Sequence, residues 1–374
     1  MRPIVLAASA LCLTCSGPSL AGAALQGSTP AVVAKASPAD ELEPGEGRRV
    51  AGALADQLLA SFAIPDHARD YAAMLRTRAA SGRYDKGPRA ELARMLTDDL
   101  QAVHKDGHLR VMLAQPDSAP GSGGEGPGRG FPPLIQSAKT IAPGVGYIRF
   151  SAFLGGKEEL AGVARWLSEN ETARTLIFDL RNHHGGGLAE QDLIFATLFA
   201  KPTPLVKMSV AKTVVDEGGF PFKASPTLAI EQVGGQMVAT HSAVPGKASP
   251  LREAKVYLLV SNRTASAAEH FALALKSTGR ATLIGEATAG ANHFGGEQDL
   301  TEHFRVWMPV GRTYDIRTGQ DWEGAGVAPD VSVDPRQALV VALERAGLSP
   351  TEAVRLDALE VPAEPVHSDK VMAR

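Results

Sequence analysis

The architecture of this chain follows from one stretch, Val256-Tyr-Leu-Leu-Val-Ser-Asn-Arg-Thr-Ala-Ser-Ala-Ala-Glu-His-Phe-Ala-Leu-Ala-Leu-Lys-Ser-Thr278. Val256–Val260 is an unbroken apolar run bounded by polar residues, which predicts a buried strand. Ala265–Lys276 is rich in alanine and leucine, which predicts a helix. Ser266 therefore lies where a strand meets a helix N-terminus, and unpaired N–H groups there favour a developing negative charge. Two interpretations stay open: Ser266 is an activated nucleophile, or it caps the helix in the box Ser266-Ala-Ala-Glu269.

Length and composition exclude some classes of partner. With 374 residues the chain can form one large domain and a smaller one. Charged residues make up 21% and hydrophobic residues 44%, which are ordinary values for a globular protein. The net charge is −3 and no basic cluster stands out, so we expect no binding to nucleic acid or to an anionic membrane surface. Oligomeric state is left open.

Met1–Ala23 has the pattern of a secretory signal: an early arginine, the apolar core Ile4–Thr14 and small residues before a cleavage point. The apolar core is too short to span a bilayer, so we expect an exported chain, periplasmic or extracellular, without stable membrane insertion. Cys12 and Cys15 are the two cysteines of the chain and both lie in this segment. Cleavage would leave no disulfide, thiol nucleophile or zinc–thiolate site, and a lipid anchor at Cys15 is the alternative.

The chain divides into six predicted segments: a signal peptide (1–23), a flexible leader (24–46), a helical N-terminal domain that ends in the element carrying His108 (47–115), a Gly/Pro linker (116–135), an α/β core (136–348) and a loosely ordered C-terminal tail (349–374). The linker is too short for a binding module such as a PDZ domain. Within the core, short apolar runs alternate with helical patterns, which predicts a mostly parallel sheet covered on both faces. Pro204–His241 is richer in β-branched and turn residues and is predicted to be an antiparallel insertion.

Asp179-Leu-Arg-Asn-His-His-Gly-Gly-Gly187 follows a predicted strand and precedes a predicted helix. Its three glycines allow the backbone to approach a ligand and to point N–H groups at it. A nucleotide-phosphate loop would need the GxGxxG spacing or a GK[ST] ending, and neither is present. An ordinary glycine-rich turn is the alternative.

His108 and Glu323 are the other candidates. His108 follows Gly107 after a predicted helix, so it is either a general base or a surface histidine near a helix end. Glu323, in Trp322-Glu-Gly-Ala-Gly-Val-Ala-Pro-Asp330, is either a carboxylate that orients a histidine or a solvated turn residue. Metal sites based on His104 with His108, or on His183 with His184, lack a third ligand at a recognisable spacing. We therefore expect no metal and no cofactor.

In their order and spacing, the Asp179 loop, the Ser266 stretch and the Glu323 turn together resemble the C-terminal-processing (tail-specific) serine peptidases. The resemblance is to the branch that contains the interphotoreceptor retinoid-binding protein repeats and the tricorn core, without a PDZ domain. It covers roughly His104 to Arg345. It implies an α/β fold like crotonase and the Clp peptidase, preceded by a small helical bundle. It also implies hydrolysis of peptide bonds in a peptide or protein substrate through an acyl-serine.

Site residues are implied by the same resemblance. The family nucleophile falls on Ser266, the histidine of its Asp-Gly-His element on His108, and the acidic residue of its Glu-Gly-x-Gly-Val element on Glu323. Backbone N–H groups of Gly186 and Ala267 would form the oxyanion hole. The lysine of the classical serine–lysine dyad is replaced by Ala291, so the expected mechanism is a Ser–His–Glu triad. A second departure is Asn182-His-His184, and a non-catalytic module that binds an apolar ligand or peptide is the alternative function.

Overall fold

The computed structural model describes residues 41–114 and 133–360. The predicted signal peptide with Cys12 and Cys15, residues 24–40 of the predicted leader, most of the predicted linker and residues 361–374 of the predicted tail lie outside these ranges. The end of the predicted leader is ordered, because Glu41 forms a bridge with Pro88 and Glu46 begins a helix. In the described ranges no helix is both long enough and apolar enough to cross a membrane.

The helices are α1 (Glu46–Ser61), α2 (Pro65–Ala80), α3 (Arg89–Val103), α4 (Lys157–Glu169), α5 (Ala189–Leu198), α6 (Lys212–Gly218), α7 (Ala267–Ser277), α8 (Ala338–Arg345) and α9 (Pro350–Ala358). The strands are β1 (Arg110–Leu113), β2 (Ile135–Ala142), β3 (Val145–Phe150), β4 (Thr175–Asp179), β5 (Thr203–Ala211), β6 (Leu228–Val233), β7 (Gln236–Ala243), β8 (Lys255–Val260), β9 (Thr282–Gly285), β10 (His293–Thr301), β11 (Phe304–Asp315) and β12 (Val331–Ser332).

The central sheet has the strand order β12-β9-β8-β4-β3-β2, and every neighbouring pair is parallel except β2 with β3. Alternate residues of its strands face two layers. Leu258 and Phe178 pack with α4, α5 and α7, whereas Leu259 and Ile177 pack with α8 and α9. Side chains of a strand alternate between the two faces of the sheet, and both faces are covered by helices here. This explains why these strands are unbroken apolar runs. The predicted α/β class with a mostly parallel sheet is confirmed.

A second sheet is antiparallel, with the order β1-β11-β5-β7-β6 and with β10 also paired to β11. The prediction of antiparallel strands within Pro204–His241 is confirmed by β5, β6 and β7. Strand β1 directly follows the N-terminal helices, and side chains of β11 such as Val306 and Met308 share one apolar core with α1, α2 and α3. The helical segment is thereby joined to the rest of the protein by a strand and by a common core.

The described part of the chain after Pro350 differs from the prediction of a loosely ordered tail. It forms α9, whose Ala353 and Leu356 are buried against α8. The Ser349 hydroxyl accepts the N–H of Glu352 at 3.3 Å, and proline at the first helical position is a common start. These start signals are present in the sequence, and the prediction was wrong because it gave the local composition more weight than the capping residues.

Candidate active site

Ser266 is the last residue before α7 and has φ 56° and ψ −120°. Among the described residues it is the one non-glycine residue with a positive φ. An ordinary N-cap residue has dihedrals in the β region. Such a backbone costs about 1–3 kcal/mol and persists where surrounding structure enforces it, as at serine nucleophiles on tight strand-to-helix turns. The conformation therefore favours the nucleophile interpretation of Ser266 over that of a simple cap.

Glu269 enforces this turn. Its Oε2 accepts the N–H of Ser266 at 2.8 Å and that of Ala291 at 2.9 Å. Its Oε1 accepts the Thr288 hydroxyl at 2.6 Å and the Gly290 N–H at 2.7 Å. The side chain is fully buried, and burial raises its pKa, with the hydrogen bonds acting in the opposite direction. The glutamate of the predicted capping box thus ties the serine turn to the segment that leads into β10.

The glycine loop after β4 packs directly on Ser266. Gly185 has φ +106°, and a Cβ there would lie 2.8 Å from the Ser266 Cβ. Gly186 has φ +126°, and a Cβ there would lie 1.9 Å from the Phe153 carbonyl oxygen. Phe153 accepts the Gly187 N–H at 2.6 Å and donates its own N–H to Gly185 at 2.9 Å. This bridge is centred on Gly186, so the N–H of Gly186 is directed away from Phe153.

His183 packs against the glycine loop and is hydrogen-bonded to it. Its buried ring lies 4.1 Å from the Phe153 ring, centroid to centroid, and its Nδ1 accepts the Gly185 N–H at 3.0 Å. Burial lowers its pKa to about 3, so the imidazole is neutral and can accept this hydrogen bond. In the sequence analysis His183 was a candidate metal ligand. In the structure it positions the glycine loop.

A cavity of about 60 Å³ opens beside Ser266. It is lined by Gly186, Gly187, Leu188, Met208, Phe222, Ser266, Ala267, His270, Asn292, Phe294, Thr313 and Trp322. Ser266 and the two residues predicted to supply oxyanion N–H groups, Gly186 and Ala267, therefore share one mostly apolar cavity. His108 and Glu323 are not among the side chains that line it.

The His108 ring stacks on Trp307 of β11, with ring centroids 4.7 Å apart. Burial lowers its pKa to about 4, and its Nδ1 is buried without a hydrogen-bond partner among the described residues. No hydrogen bond joins this ring to Ser266 or to Glu323 in the described part of the chain. Within the described residues, the structure thus does not join the predicted base to the predicted nucleophile.

Glu323 contacts the backbone next to His108. Its Oε1 accepts the Gly107 N–H at 2.7 Å, and its Oε2 accepts the N–H of Asn292 at 2.7 Å. Gly107 lies so close to Ala291 that a Cβ on it would be 2.8 Å from the Ala291 Cβ. The segment carrying His108 therefore rests on the position where the dyad peptidases have lysine. Burial raises the pKa of Glu323.

Asp106 and His293 complete this contact and were not predicted as site residues. Asp106 Oδ2 lies 2.6 Å from His293 Nδ1, and both side chains are buried. Burial lowers the pKa of His293, but the hydrogen bond and the charge of Asp106 raise it overall. Ligand atoms of Asp106, His293 and Glu323 lie within 4.8 Å of one another, as in a metal site.

The protein's own groups already occupy these oxygens. Asp106 Oδ1 accepts the N–H groups of His108 and Leu109, at 2.8 and 2.9 Å. Both oxygens of Glu323 also accept backbone N–H groups. The cluster of Asp106, His293 and Glu323 therefore fits an internal hydrogen-bond network better than a cation site. The sequence signal for Asp106 is its place in the Lys105-Asp-Gly-His108 element, next to the predicted base.

Comparison with known proteins places the chain in a family. The profile of peptidase family S41 matches residues 144–333, which is half of the chain. The chain is 28% identical over 204 residues to the chloroplastic C-terminal processing peptidase of Tetradesmus obliquus, covering 53% of this chain and 38% of that protein. It is 30% identical over 188 residues to the chloroplastic carboxyl-terminal-processing peptidase 1 of Arabidopsis thaliana, covering 50% of this chain and 33% of that protein. The chain thus spans about a third of the length of these curated relatives.

Among solved structures, a putative peptidase from Parabacteroides merdae superposes with a TM-score of 0.56 at 18% identity, covering 81% of this chain and 97% of that one. A lipoprotein from Streptococcus agalactiae superposes with a TM-score of 0.52 at 13% identity, covering 82% and 97%. At these identities the likeness concerns the fold alone. On the sequence match, the chain belongs to peptidase family S41.

Proposed function

We propose that this chain is a serine peptidase that hydrolyses peptide bonds in peptide or protein substrates through an acyl-enzyme on Ser266. The observation that carries the proposal is the backbone of Ser266, held at positive φ between a glycine loop and a helix N-terminus, beside a cavity. Membership of family S41 supports the same chemistry. The comparisons do not identify a substrate. The described residues contain no PDZ-like module, so the proposal includes no preference for substrate C-termini.

In the proposed reaction the Ser266 Oγ attacks the carbonyl carbon of the scissile bond, and the oxygen takes up negative charge. Ala267 is the first residue of α7, so its N–H has no acceptor within the helix. The N–H of Gly186 is directed away from the Phe153 bridge. Both residues line the cavity with Ser266, which supports their assignment as oxyanion donors.

His108 is the proposed base. It takes the Ser266 proton during attack and returns it to the leaving amine, so that protons balance over acylation. Because Ala291 stands in place of the dyad lysine, Ser266 needs another base. The His108 ring must first leave Trp307, a side-chain rotation that substrate binding can drive, since catalytic hydrogen bonds often tighten only in the complex. Glu323, which accepts the Gly107 N–H, holds the segment during this rotation and is the proposed third member of the triad.

The test is labelling with a fluorophosphonate probe, together with hydrolysis of a peptide library. Wild type should be labelled, and Ser266→Ala should lose both labelling and hydrolysis while keeping its circular dichroism spectrum. His108→Asn should lose most activity, whereas the matched change His104→Asn should retain it, since His104 pairs with Asp70 at the surface. Full hydrolysis by Ser266→Ala would refute the assignment.

One observation favours a second function, a non-catalytic module that binds an apolar ligand or peptide. The His108 ring is stacked on Trp307 and makes no hydrogen bond to Ser266 within the described residues. In that case wild type would bind peptides but remain unlabelled and would hydrolyse none of them. Labelling that depends on His108 would exclude this alternative.

We further propose that the chain is exported to the periplasm or the extracellular space through cleavage of Met1–Ala23. N-terminal sequencing of the exported protein should give a start close to Ala24. A mature chain that keeps Met1, or one that carries lipid on Cys15, would contradict cleavage at this point.

A further inference from the structure

The cavity beside Ser266 contains one ionisable side chain in its wall, His270. His270 lies one turn after Ser266 on α7, and its backbone N–H donates to the Ser266 carbonyl oxygen at 3.1 Å. The imidazole is almost fully buried, at 4% exposure. The proposed peptidase mechanism does not use it.

His270 is the inner end of a chain of hydrogen bonds. Its Nε2 lies 2.8 Å from Nδ1 of His241, a fully buried residue of β7. Nε2 of His241 lies 2.7 Å from Oδ1 of Asp192 on α5, which is partly exposed. The other oxygen of Asp192 accepts the Thr227 hydroxyl at 2.9 Å. A carboxylate near the surface is thus connected through two imidazoles to the cavity at Ser266.

The chemistry of these groups determines where the protons lie. An ionised carboxylate only accepts, so Nε2 of His241 carries a proton and donates to Asp192. In a neutral imidazole the other nitrogen accepts, so Nδ1 of His241 accepts the Nε2–H of His270. Nδ1 of His270 is then unprotonated and is a hydrogen-bond acceptor. Burial, together with the nearby His241, lowers the pKa of His270 well below its usual value, which agrees with a neutral ring.

A second acceptor lies in the same wall. Asn292 is 4% exposed, and its Nδ2 donates to the Thr313 carbonyl oxygen at 2.8 Å. That bond determines the orientation of the amide and leaves Oδ1 buried without a hydrogen-bond partner among the described residues. The remaining wall is largely apolar side chains and glycine. The Asn292 oxygen is enclosed, so Nδ1 of His270 is the acceptor that a guest in the cavity can reach. A mostly apolar cavity with such an acceptor favours a guest that donates a hydrogen bond, since an unpaired buried polar group is costly.

We infer that Asp192 and His241 hold His270 in the Nε2–H tautomer, so that the cavity accepts a short side chain that carries a hydrogen-bond donor, threonine or serine. The inference rests on the proposed function, because the cavity would then hold the side chain of the substrate residue whose carbonyl Ser266 attacks. Its volume of about 60 Å³ is several times the roughly 10–15 Å³ that one water needs on the same measure, so a threonine or serine side chain has room in it. His270 is a residue that determines specificity, and His241 and Asp192 position it.

The first arm of the test measures the tautomer by NMR on protein labelled with ¹⁵N-histidine, and it does not depend on activity. Two-bond correlations between ring protons and ring nitrogens should show protonated Nε2 and bare Nδ1 for His270, with His270→Phe identifying the signals. In Asp192→Asn the amide oxygen faces Thr227 and the N–H₂ group faces His241, so both histidines should change to the Nδ1–H tautomer. Asp216→Asn, which removes one exposed carboxylate paired with Lys212, is the matched control and should change nothing.

The second arm measures binding of two peptides of equal shape, acetyl-Ala-Ala-Thr and acetyl-Ala-Ala-Val, in the same NMR samples. Threonine should bind about tenfold more tightly in wild type, the factor that one hydrogen bond contributes, and should shift the Nδ1 signal of His270. His270→Phe should lose this preference, and Asp192→Asn serves as the second variant if His270→Phe does not fold.

Equal affinities, or no binding of either peptide, would overturn the proposed pocket. A protonated Nδ1 on His270 in wild type, as expected if His241 were an imidazolium, would overturn the proposed tautomer. Fluorophosphonate labelling of the same samples reports separately on the proposed peptidase activity. Failure of that activity is therefore distinguishable from failure of the pocket.

Discussion

The carboxylate of Glu269 lies 2.8 Å from the backbone nitrogen of Ser266 and holds that residue in a backbone conformation normally left to glycine. The two residues are three apart, as in an ordinary capping box. Here the carboxylate is fully buried and also binds the segment from Thr288 to Ala291. The serine turn and the entry to β10 are therefore held by one side chain.

Replacing Glu269 by glutamine should lower the free energy of unfolding by about 2–3 kcal/mol. Both oxygens of Glu269 accept hydrogen bonds from donors, and the N–H₂ group of glutamine would face two of those donors without being able to accept from them. Urea unfolding measures this, and labelling of Ser266 should fall in the same variant because the turn loosens. Glu352→Gln on α9, which removes an exposed charge, should stay within about 0.5 kcal/mol of wild type. A Glu269→Gln variant as stable as wild type would show that this carboxylate does not hold the turn.

Ser266→Gly should be more stable than Ser266→Ala by about 1 kcal/mol, although both should be inactive. Alanine retains the Cβ and with it the strain of φ 56°, whereas glycine adopts this region freely. Thermal unfolding followed by circular dichroism compares the two variants directly. The opposite order of stability would indicate that Ser266 is not strained.

Gly186→Ala should lose hydrolysis and at least about 2 kcal/mol of stability, because the new Cβ would overlap the Phe153 carbonyl oxygen. Gly219→Ala is the matched control, since Gly219 also has positive φ but has open space around it. Urea unfolding and peptide hydrolysis should both separate the two variants. Equal losses in the two variants would mean that the positive φ alone, and not the close approach to Phe153, makes alanine unfavourable at position 186.

Stability should fall as the pH drops from about 6.5 toward 4. Burial lowers the pKa of His108 to about 4 and also lowers the pKa values of His183 and His270, while unfolded histidine titrates near 6.5. The unfolded chain therefore binds more protons in this window, and stability is lost on acidification. His293 has the opposite effect, because its pKa is raised in the folded protein. Its contribution to the free energy of unfolding is present below pH 6.5 and is lost as the pH rises through the pKa of the folded state.

Urea unfolding between pH 7 and pH 4.5 measures this slope. His108→Gln should show a smaller loss on acidification, because one depressed histidine has been removed. An unchanged slope would mean that the ring on Trp307 remains as accessible to protons as in the unfolded chain.

Ending the chain after Leu348 should lower stability by about 2–3 kcal/mol, since the buried Leu356 of α9 and its contacts with α8 would be lost. Arg149, which donates to the Glu360 carbonyl oxygen and pairs with its carboxylate, would also be left without this partner. Ending the chain after Glu360 keeps α9 and these contacts and is the matched control. Equal unfolding midpoints for the two truncations would contradict a structural role of α9.

Much of the fold could be predicted because its signals are local. The unbroken apolar run of β8, the alanine-rich α7 and the alternation of strands and helices predict a parallel sheet covered on two faces. The same reasoning placed Ser266 at the junction of a strand and a helix, as the structure has it. That the glycines of the Asp179 loop approach a ligand stays a prediction. The helix after Pro350 was also encoded locally, by Ser349 and the proline, and was missed.

Contacts between distant segments could not be predicted in this way. The sequence by itself determined the order of the main elements, the position of Ser266 between a strand and a helix, and the absence of lysine at position 291. Only the tertiary structure decided that Glu269 also binds the segment from Thr288 to Ala291, that His108 stacks on Trp307, and that Asp192 reaches the cavity through His241 and His270. The physical reason is that periodicity and capping depend on neighbours along the chain. Hydrogen bonds between side chains 29, 49 or 187 residues apart depend on how sheets and helices pack.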